Sequence, residues 1–462
     1  MEKKNQNPVI RVTPWIFLIV LPLLYLDVQW RNNIEQRLQY ISGTGSFISG
    51  SSRKLNINGN GKNVKPRKEE FVLTRLVKGE ENRAKLKASG FVCNVEVFSK
   101  HCVSNRPVQI DTLSMTVTVP SNQQVQETVI RPYARQEDNT LLKTVTPVKI
   151  IHGNITPPAC HHRHDIPAVV FSSSGFVGNI FHEINEIIIP LYTTTRHFKS
   201  RVILVMEDYR PSFIKKYGKI LARLTSYEII NPARNSTIHC FPGIVIGLKF
   251  HGHLAINSTD IPTGLSMKDF RHLLRESLGL KYRHVSLIEK PTVMLLSRTT
   301  SRRFLNEDEM VIMMEEIGFR VVVVKRAKVV SDLGLFSKMI NSCSVFVGAH
   351  GAGLTNELFL PDGAVMVQVD LIGLEWAAAT YYGDPARAMG VRYLRYRVDP
   401  EESSLLKVFY GQRNHTYITN VRVLPGHAGR EVYLNGQNVR VNVARFRETM
   451  VEAMSLVQDS DV

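Results

Sequence analysis

Apolar residues in this chain follow two rhythms. From about Ile166 onward, short continuous apolar runs alternate with stretches in which apolar positions recur every three or four residues, the pattern of buried strands alternating with amphipathic helices. The runs predict strands at Ala168–Ser172, Arg201–Met206, Tyr227–Ile230, Ile244–Leu248, Pro291–Ser297, Phe319–Val324, Val345–Gly348 and Ala364–Val369. Helices are predicted at Val177–His197, Ser212–Leu224, Met267–Leu278 and Ser331–Ser342. A further helix opens at Asn306, capped with Glu309 three residues on, and closes at Gly318. Upstream, between Phe91 and Ile150, the leaning is β alone, with Met115–Val119, Thr128–Ile130 and Val145–Ile151 separated by Pro, Asn and Gly. Strands alternating with helices build parallel sheets covered on both faces. The expected class is therefore α/β, split at Arg283–Lys290 into two Rossmann-like halves, with ligands beyond the carboxyl ends of strands where the halves face each other.

The first thirty residues have a different character. Met1–Arg11 is polar and basic, Trp15–Leu26 is apolar apart from Pro22, and no small-x-small cleavage site follows. Val12–Trp30 is near the lower limit for a bilayer span, roughly 17–20 residues. The expectation is a cytosolic tail over 1-11, a transmembrane signal anchor over 12-30 and a flexible Ser-, Gly- and Asn-rich stem over 31-87. An acceptor-side lobe over 88-285, a nucleotide lobe over 286-395 and a closing segment over 396-462 that packs across both would follow.

Composition narrows the reading only a little. The 462 residues hold 58 Lys and Arg against 41 Asp and Glu, a formal net charge of +17, which suits a phosphate-bearing substrate, an acidic polymer or an anionic membrane face. No zinc-finger spacing, RNP-like aromatic motif or basic heptad helix occurs, so nucleic acid is the weakest partner. Cys93 and Cys102 are spaced to close a small loop if the compartment is oxidising. Sequons at Asn154, Asn235, Asn257 and Asn414 permit a lumenal location.

Three stretches carry candidate chemistry. In VFVGAHGAGLTN (Val345–Asn356) a strand feeds a helix-like segment through glycines, so unpaired N–H groups would face an anion. The spacing is not that of the dinucleotide fingerprint, which argues against a nicotinamide oxidoreductase. On the predicted helix after Gly178, Asn179, His182 and Glu186 share one face with Glu183 at its edge. A His and a carboxylate one turn apart suit deprotonation of a hydroxyl, with either group as the base. Leu296–Arg303 puts hydroxyls and guanidinium groups at a strand's carboxyl end, as a pyrophosphate requires. No D-x-D follows an interior strand, and the adjacent His161, His162 and His164 do not readily converge on one ion. No metal site is expected, and a leaving diphosphate would be met by Arg, Ser/Thr and backbone N–H groups.

VGAHGAGLTNELFLPDGAVMVQV, GNIFHEINEIIIPLY, RPYARQED (Arg131–Asp138), YYGDPARAMGVRYLRY and LNGQNVRVNVARF (Leu434–Phe446) together resemble glycosyltransferase family 61, most closely its plant branch of Golgi pentosyltransferases. The resemblance implies a two-lobed GT-B fold and a single-pass type II Golgi membrane protein, with scope for a Golgi protein complex. It also implies metal-independent, inverting transfer of a pentose from UDP-xylose or UDP-arabinofuranose to xylan. An N-glycan 1,2-xylosyltransferase and a non-catalytic sugar-nucleotide-binding subunit are the alternatives. By matching motif, Arg298, Arg303, His350, Gly351, Gly353, Thr355 and Asn356 would hold the donor diphosphate. His182, Glu186 or Glu183 would act as base, with Asn179 toward the acceptor. The acidic positions on this helix are often Asp in the plant branch and are Glu here.

Overall fold

The computed structural model describes residues 68–408, except 235, 261–263 and 326, together with 426–459. The expected tail, membrane anchor and most of the stem lie outside the described residues, as do the sequons Asn235 and Asn414. Among the described residues no helix is long and apolar enough to cross a membrane.

The N-terminal half contains β1 (Phe91–Val95), β2 (Lys100–Ser104), β3 (Val108–Asp111), β4 (Thr116–Pro120), β5 (Gln126–Ile130), β6 (Val148–Gly153), β7 (His162–Arg163), β8 (Ala168–Ser172), β9 (Ile203–Glu207), β10 (Ile238–Phe241) and β11 (Ile244–Ile246). They form two sheets, ordered β1-β2-β11-β8-β9 and β5-β6-β4-β3-β10-β7. Val117, Ile150, Val170, Val205 and Ile246 meet in the core between these sheets. Only β11, β8 and β9 run parallel in the first sheet, so this half is not the plain Rossmann unit that the helix–strand alternation suggests. The cause is local. Connections as short as 96–99 and 112–115 join antiparallel neighbours, whereas a parallel pair needs a long crossover. Tyr227–Ile230 is likewise no strand: Ile230 makes one bridge to Val205, and Tyr227 and Glu228 are exposed.

The C-terminal half matches its expectation more closely. β12 (Thr292–Leu296), β13 (Arg320–Val324), β14 (Val345–Ala349), β15 (Val365–Asp370) and β16 (Arg392–Arg397) form one sheet, ordered β13-β12-β14-β15-β16, with every pair parallel. All side chains of β12, β14 and β15 are buried, as strands covered on both faces require. The order reverses between β12 and β14, so the segments leaving their carboxyl ends part to opposite sides and open a ligand crevice.

Several boundaries move. Helices Lys68–Arg75 and Glu80–Ser89 bury Leu73 and Leu86, and Val77 between them is buried too, so the folded chain begins by Lys68 rather than at 88. The closing helix Val443–Gln458 sends Phe446, Met450, Ala453 and Val457 into the core of the parallel sheet, in place of the expected packing across both halves. At Asn306 no side-chain cap forms. Its Oδ1 instead accepts from Val441 N–H at 3.0 Å and its Nδ2 donates to Val441 O at 2.9 Å, which pins the C-terminal segment.

Cys93 and Cys102, opposite each other on β1 and β2, are joined in a disulfide, and a second joins Cys160 to Cys240. Cys343 is free and buried.

One core runs from the N-terminal half into the C-terminal half, through helix Met267–Leu278. Ser266 and Asp269 close a capping box at its start and Gly279 ends it in the left-handed conformation. Phe270, Leu273 and Leu274 form its buried face, and among them lies Arg271, only 3% exposed. The Arg271 guanidinium donates to Met389 O at 2.7 Å, Leu358 O at 3.3 Å and Leu360 O, and pairs with Asp362 at 2.9 Å. Arg271→Ala leaves those carbonyls without a donor. It should lower unfolding free energy by about 3–5 kcal/mol, the scale for breaking a buried charged network, as read by denaturant titration.

Candidate functional site

Two clusters meet where the halves join. The first is built on a helix entered through the β8 turn. Asn179 Oδ1 accepts from Phe181 N–H at 3.0 Å and caps the helix, so it starts at Ile180, three residues later than predicted, and Asn179 serves the backbone. Pro190 has no N–H to return to the carbonyl four residues back, and the helix widens into a π turn at Ile184–Ile188. His182 and Glu186 share a face: His182 Nδ1 lies 2.7 Å from Glu186 Oε1. Glu186 is fully buried, with Oε2 accepting from the Tyr133 hydroxyl at 2.6 Å and Oε1 lying 3.4 Å from Arg135 Nη1. Burial raises the Glu186 pKa, but His182, Tyr133 and Arg135 outweigh it and hold the carboxyl below its usual range. An ionised Glu186 keeps the ring proton on His182 Nδ1 and leaves Nε2 as a free acceptor, the form that a general base requires.

Glu183 is not an alternative base. Its Oε1 accepts from Gly178 N–H at 3.0 Å, and its Oε2 is held by Lys216 at 2.5 Å and the Tyr217 hydroxyl at 2.7 Å. It anchors the helix start.

The second cluster stands at the carboxyl ends of β12 and β14. Gly351 has a φ of +151°, and a Cβ there would lie 2.8 Å from Arg302 Nη1 and 2.9 Å from Arg298 Nη1. A Cβ on Gly353 would lie 2.5 Å from Leu296 Cδ2, so that glycine lets the turn close onto β12. Arg302 Nη1 donates to His350 O at 3.1 Å, and Arg298 Nε to Ser301 O at 2.8 Å. The expected partner Arg303 is exposed, and its backbone N–H goes to Asn438 Oδ1 at 3.0 Å. Arg302 takes its place because it adopts a left-handed conformation, φ +58°, held by its N–H to Gln437 O at 2.6 Å. Burial and the neighbouring Arg298 bring Arg302 down to about 10, and no carboxylate among the described residues pairs with either guanidinium. Two adjacent cations without a counter-charge suit an anion.

His350 is buried, with Nδ1 lying 2.9 Å from Gln368 Nε2. The Tyr393 hydroxyl donates to Gln368 Oε1 at 3.2 Å and orients that amide, so the His350 proton sits on Nε2. Burial, with Arg302 and Arg298 adding, pushes His350 down to about 3, and it is a neutral donor. Thr355 and Asn356 are wholly buried. Asn356 Nδ2 donates to Gly353 O at 2.8 Å and holds the turn, which continues as a 3-10 helix over Ala352–Phe359. Burial raises Glu357 well above the carboxylate range, so it is neutral despite Arg271 nearby.

Helix Ile180–Glu183 packs directly on that 3-10 helix, and rings bridge the clusters. Phe181 lies 5.8 Å from Tyr382, which lies 5.5 Å from His350. His253 faces the same region: burial, with Arg135 adding, lowers it to about 4, and its ring is 4.4 Å from Tyr381. Among the described residues no three His, Cys, Asp or Glu side chains are grouped to hold a metal ion. The histidines around β7 stack instead, His162 on His239 at 4.8 Å and His164 on His239 at 5.3 Å. The sequons Asn154 and Asn257 are exposed.

Tyr133, Arg135, Arg302, Gln368, Tyr382 and His253 are site residues that the candidate set lacks. Two had a readable signal: Tyr133 and Arg135 stand two apart in the Pro-containing stretch Arg131–Asp138.

The profile of Glycosyltransferase 61 matches residues 109–367. An alpha-1,3-arabinosyltransferase of Oryza sativa subsp. japonica is 35% identical over 334 residues, 70% of this chain and 57% of that protein. A beta-1,2-xylosyltransferase from the same plant is 34% identical over 71% of this chain and 72% of its own length. A xylan glycosyltransferase of Arabidopsis thaliana is 31% identical over 71% of each chain. The chain thus spans a little over half the length of the rice arabinosyltransferase. By profile and by identity, the chain belongs to glycosyltransferase family 61.

Proposed function

We propose that this protein transfers a pentose from UDP-xylose or UDP-arabinofuranose to a xylan-type polysaccharide, with inversion, without a divalent cation, and on a two-lobed GT-B scaffold. The observation that carries this reading is the pairing of a His182–Glu186 dyad with two uncompensated guanidinium groups across one junction. His182 Nε2 takes the acceptor hydroxyl proton as that oxygen bonds to the anomeric carbon. The bond from that carbon to the diphosphate oxygen breaks, and its electron pair leaves with UDP. Attack from the side opposite the leaving group inverts the centre. The developing charge falls to Arg298, Arg302, His350 Nε2–H and the backbone of the Gly351 turn, which are already oriented for it. Glu186 stabilises the imidazolium as it forms. The names of the relatives support the substrate class. We also propose a lumenal site in the Golgi, anchored by the expected N-terminal span; two disulfides suit that compartment.

His182→Ala should reduce transfer to xylo-oligosaccharides by about 10²–10⁴-fold, the usual worth of a general base, while UDP affinity by calorimetry is unchanged. Normal turnover in that variant would remove His182 from the reaction.

Arg302→Ala should weaken UDP binding by about 2–3 kcal/mol, the scale of charge-assisted hydrogen bonds, whereas Arg303→Ala should leave it unaltered. Equal losses in the two variants would return Arg303 to the pocket.

Transfer should persist after exhaustive chelation. Activity that vanishes and returns only with added manganese would overturn the metal-independent step.

A further inference from the structure

Large apolar side chains that stay exposed beside a reaction centre need a reason, since burying them is favourable by about 25 cal/mol per Å². One such ring lies against the base, and a second is joined to it through two further rings. Phe176 is 40% exposed and Trp376 is 49% exposed. Phe176 sits in the turn after β8, between Gly175 at φ +81° and Gly178 at φ +105°, and its ring lies 4.3 Å from that of His182. Trp376 projects from the short helix Glu375–Ala378, its ring 5.7 Å from Tyr381. Tyr381 lies 5.3 Å from Phe181, and Phe181 lies 5.4 Å from His182. These five rings form one unbroken run, contributed by both halves, with the base near one end and the part-exposed Phe176 and Trp376 at its ends. Nothing in the transfer step uses those two side chains.

We infer that Phe176 and Trp376 are acceptor-positioning residues, stacking against the apolar C–H faces of pyranose units in the polysaccharide on either side of the unit that receives the pentose. The inference rests on the transferase reading and adds the acceptor's binding mode to it. A neutral pyranose chain offers no charge for an ion pair. It does offer axial C–H groups that carry partial positive charge and suit the negative face of an aromatic ring. Rigid rings with few rotors lose little entropy on binding. They hold successive units in line, so one hydroxyl is presented to His182 Nε2 rather than many in turn. Tyr381 packs against both His253 and Trp376 and fixes the Trp376 end of the run.

The test uses the purified full-length chain with linear β-1,4-linked xylo-oligosaccharides of two to six units. Trp376→Ala and Phe176→Ala should each raise the acceptor KM by about 10-fold or more with kcat and the UDP-sugar KM nearly unchanged, the pattern of lost ground-state positioning. The penalty should grow with acceptor length, and Trp376→Tyr should restore most of the affinity. An unchanged acceptor KM at every length would overturn the proposal. So would a parallel loss in kcat and donor KM, which marks a structural role. Titrating xylohexaose while following tryptophan fluorescence separates this inference from the transferase reading. A saturable change in the parent chain that disappears in Trp376→Tyr supports the platform even if no transfer occurs. No change on titration overturns it even if transfer is observed.

Discussion

A buried guanidinium holds the two halves of this protein in register. Arg271 comes from a helix in the shared core and satisfies carbonyls at the end of the Ala352–Phe359 turn and at Met389. Those carbonyls are acceptors that the 3-10 turn and the helix before Met389 leave unpaired at their ends. A cation placed there also favours the negative end of the backbone dipoles. Burial makes such a contact costly to form and costly to break, so it defines one arrangement rather than a range. Because the other end of the same turn is Gly351, whatever sets the position of Arg271 also sets the distance between the Gly351 turn and the His182 helix.

The site that results has opposite electrical characters on its two faces. On one, Arg298 and Arg302 remain cationic and His350 is a neutral donor, so these three side chains offer hydrogens. On the other, an ionised Glu186 is surrounded by the donors Tyr133, His182 and Arg135, so its charge is used up in orienting the imidazole. Between them lie the buried rings of Phe181 and Tyr382, whose low local dielectric strengthens each electrostatic contact. A reaction that moves a proton to one side and negative charge to the other suits such an arrangement, because no dipole has to reorient as charge develops.

How much of this was legible in the chain varies with range. Met267–Leu278 and the strand at Ala168–Ser172 coincide with their predicted bounds, because capping residues and continuous apolar runs act locally. His182 and Glu186 were legible as a pair for the same reason, four residues apart on a helix. Arg302 was not. It and Arg303 are adjacent and chemically identical, and contacts from Gln437 and Asn438, more than a hundred residues away, turn one toward Gly351 and the other to solvent. Tyr133 depends on the β8 turn in the same way, since Gly175 makes room for its ring. The engagement of Glu183 was not legible because its partners, Lys216 and Tyr217, belong to another helix.

By itself, then, the order of residues determined the alternating strand–helix grammar, the parallel C-terminal sheet, the glycine turn at its switch point and the family to which the chain belongs. Those follow from interactions spanning a few residues, or from motifs preserved as strings. Tertiary structure alone decided which arginine faces the Gly351 turn, which glutamate orients the histidine and which is spent on an ion pair, and that the aromatic rings of two distant segments form one run. Each of those depends on side chains brought together by closure of the core, and such proximity is invisible to periodicity because the sequence separation of the partners carries no period.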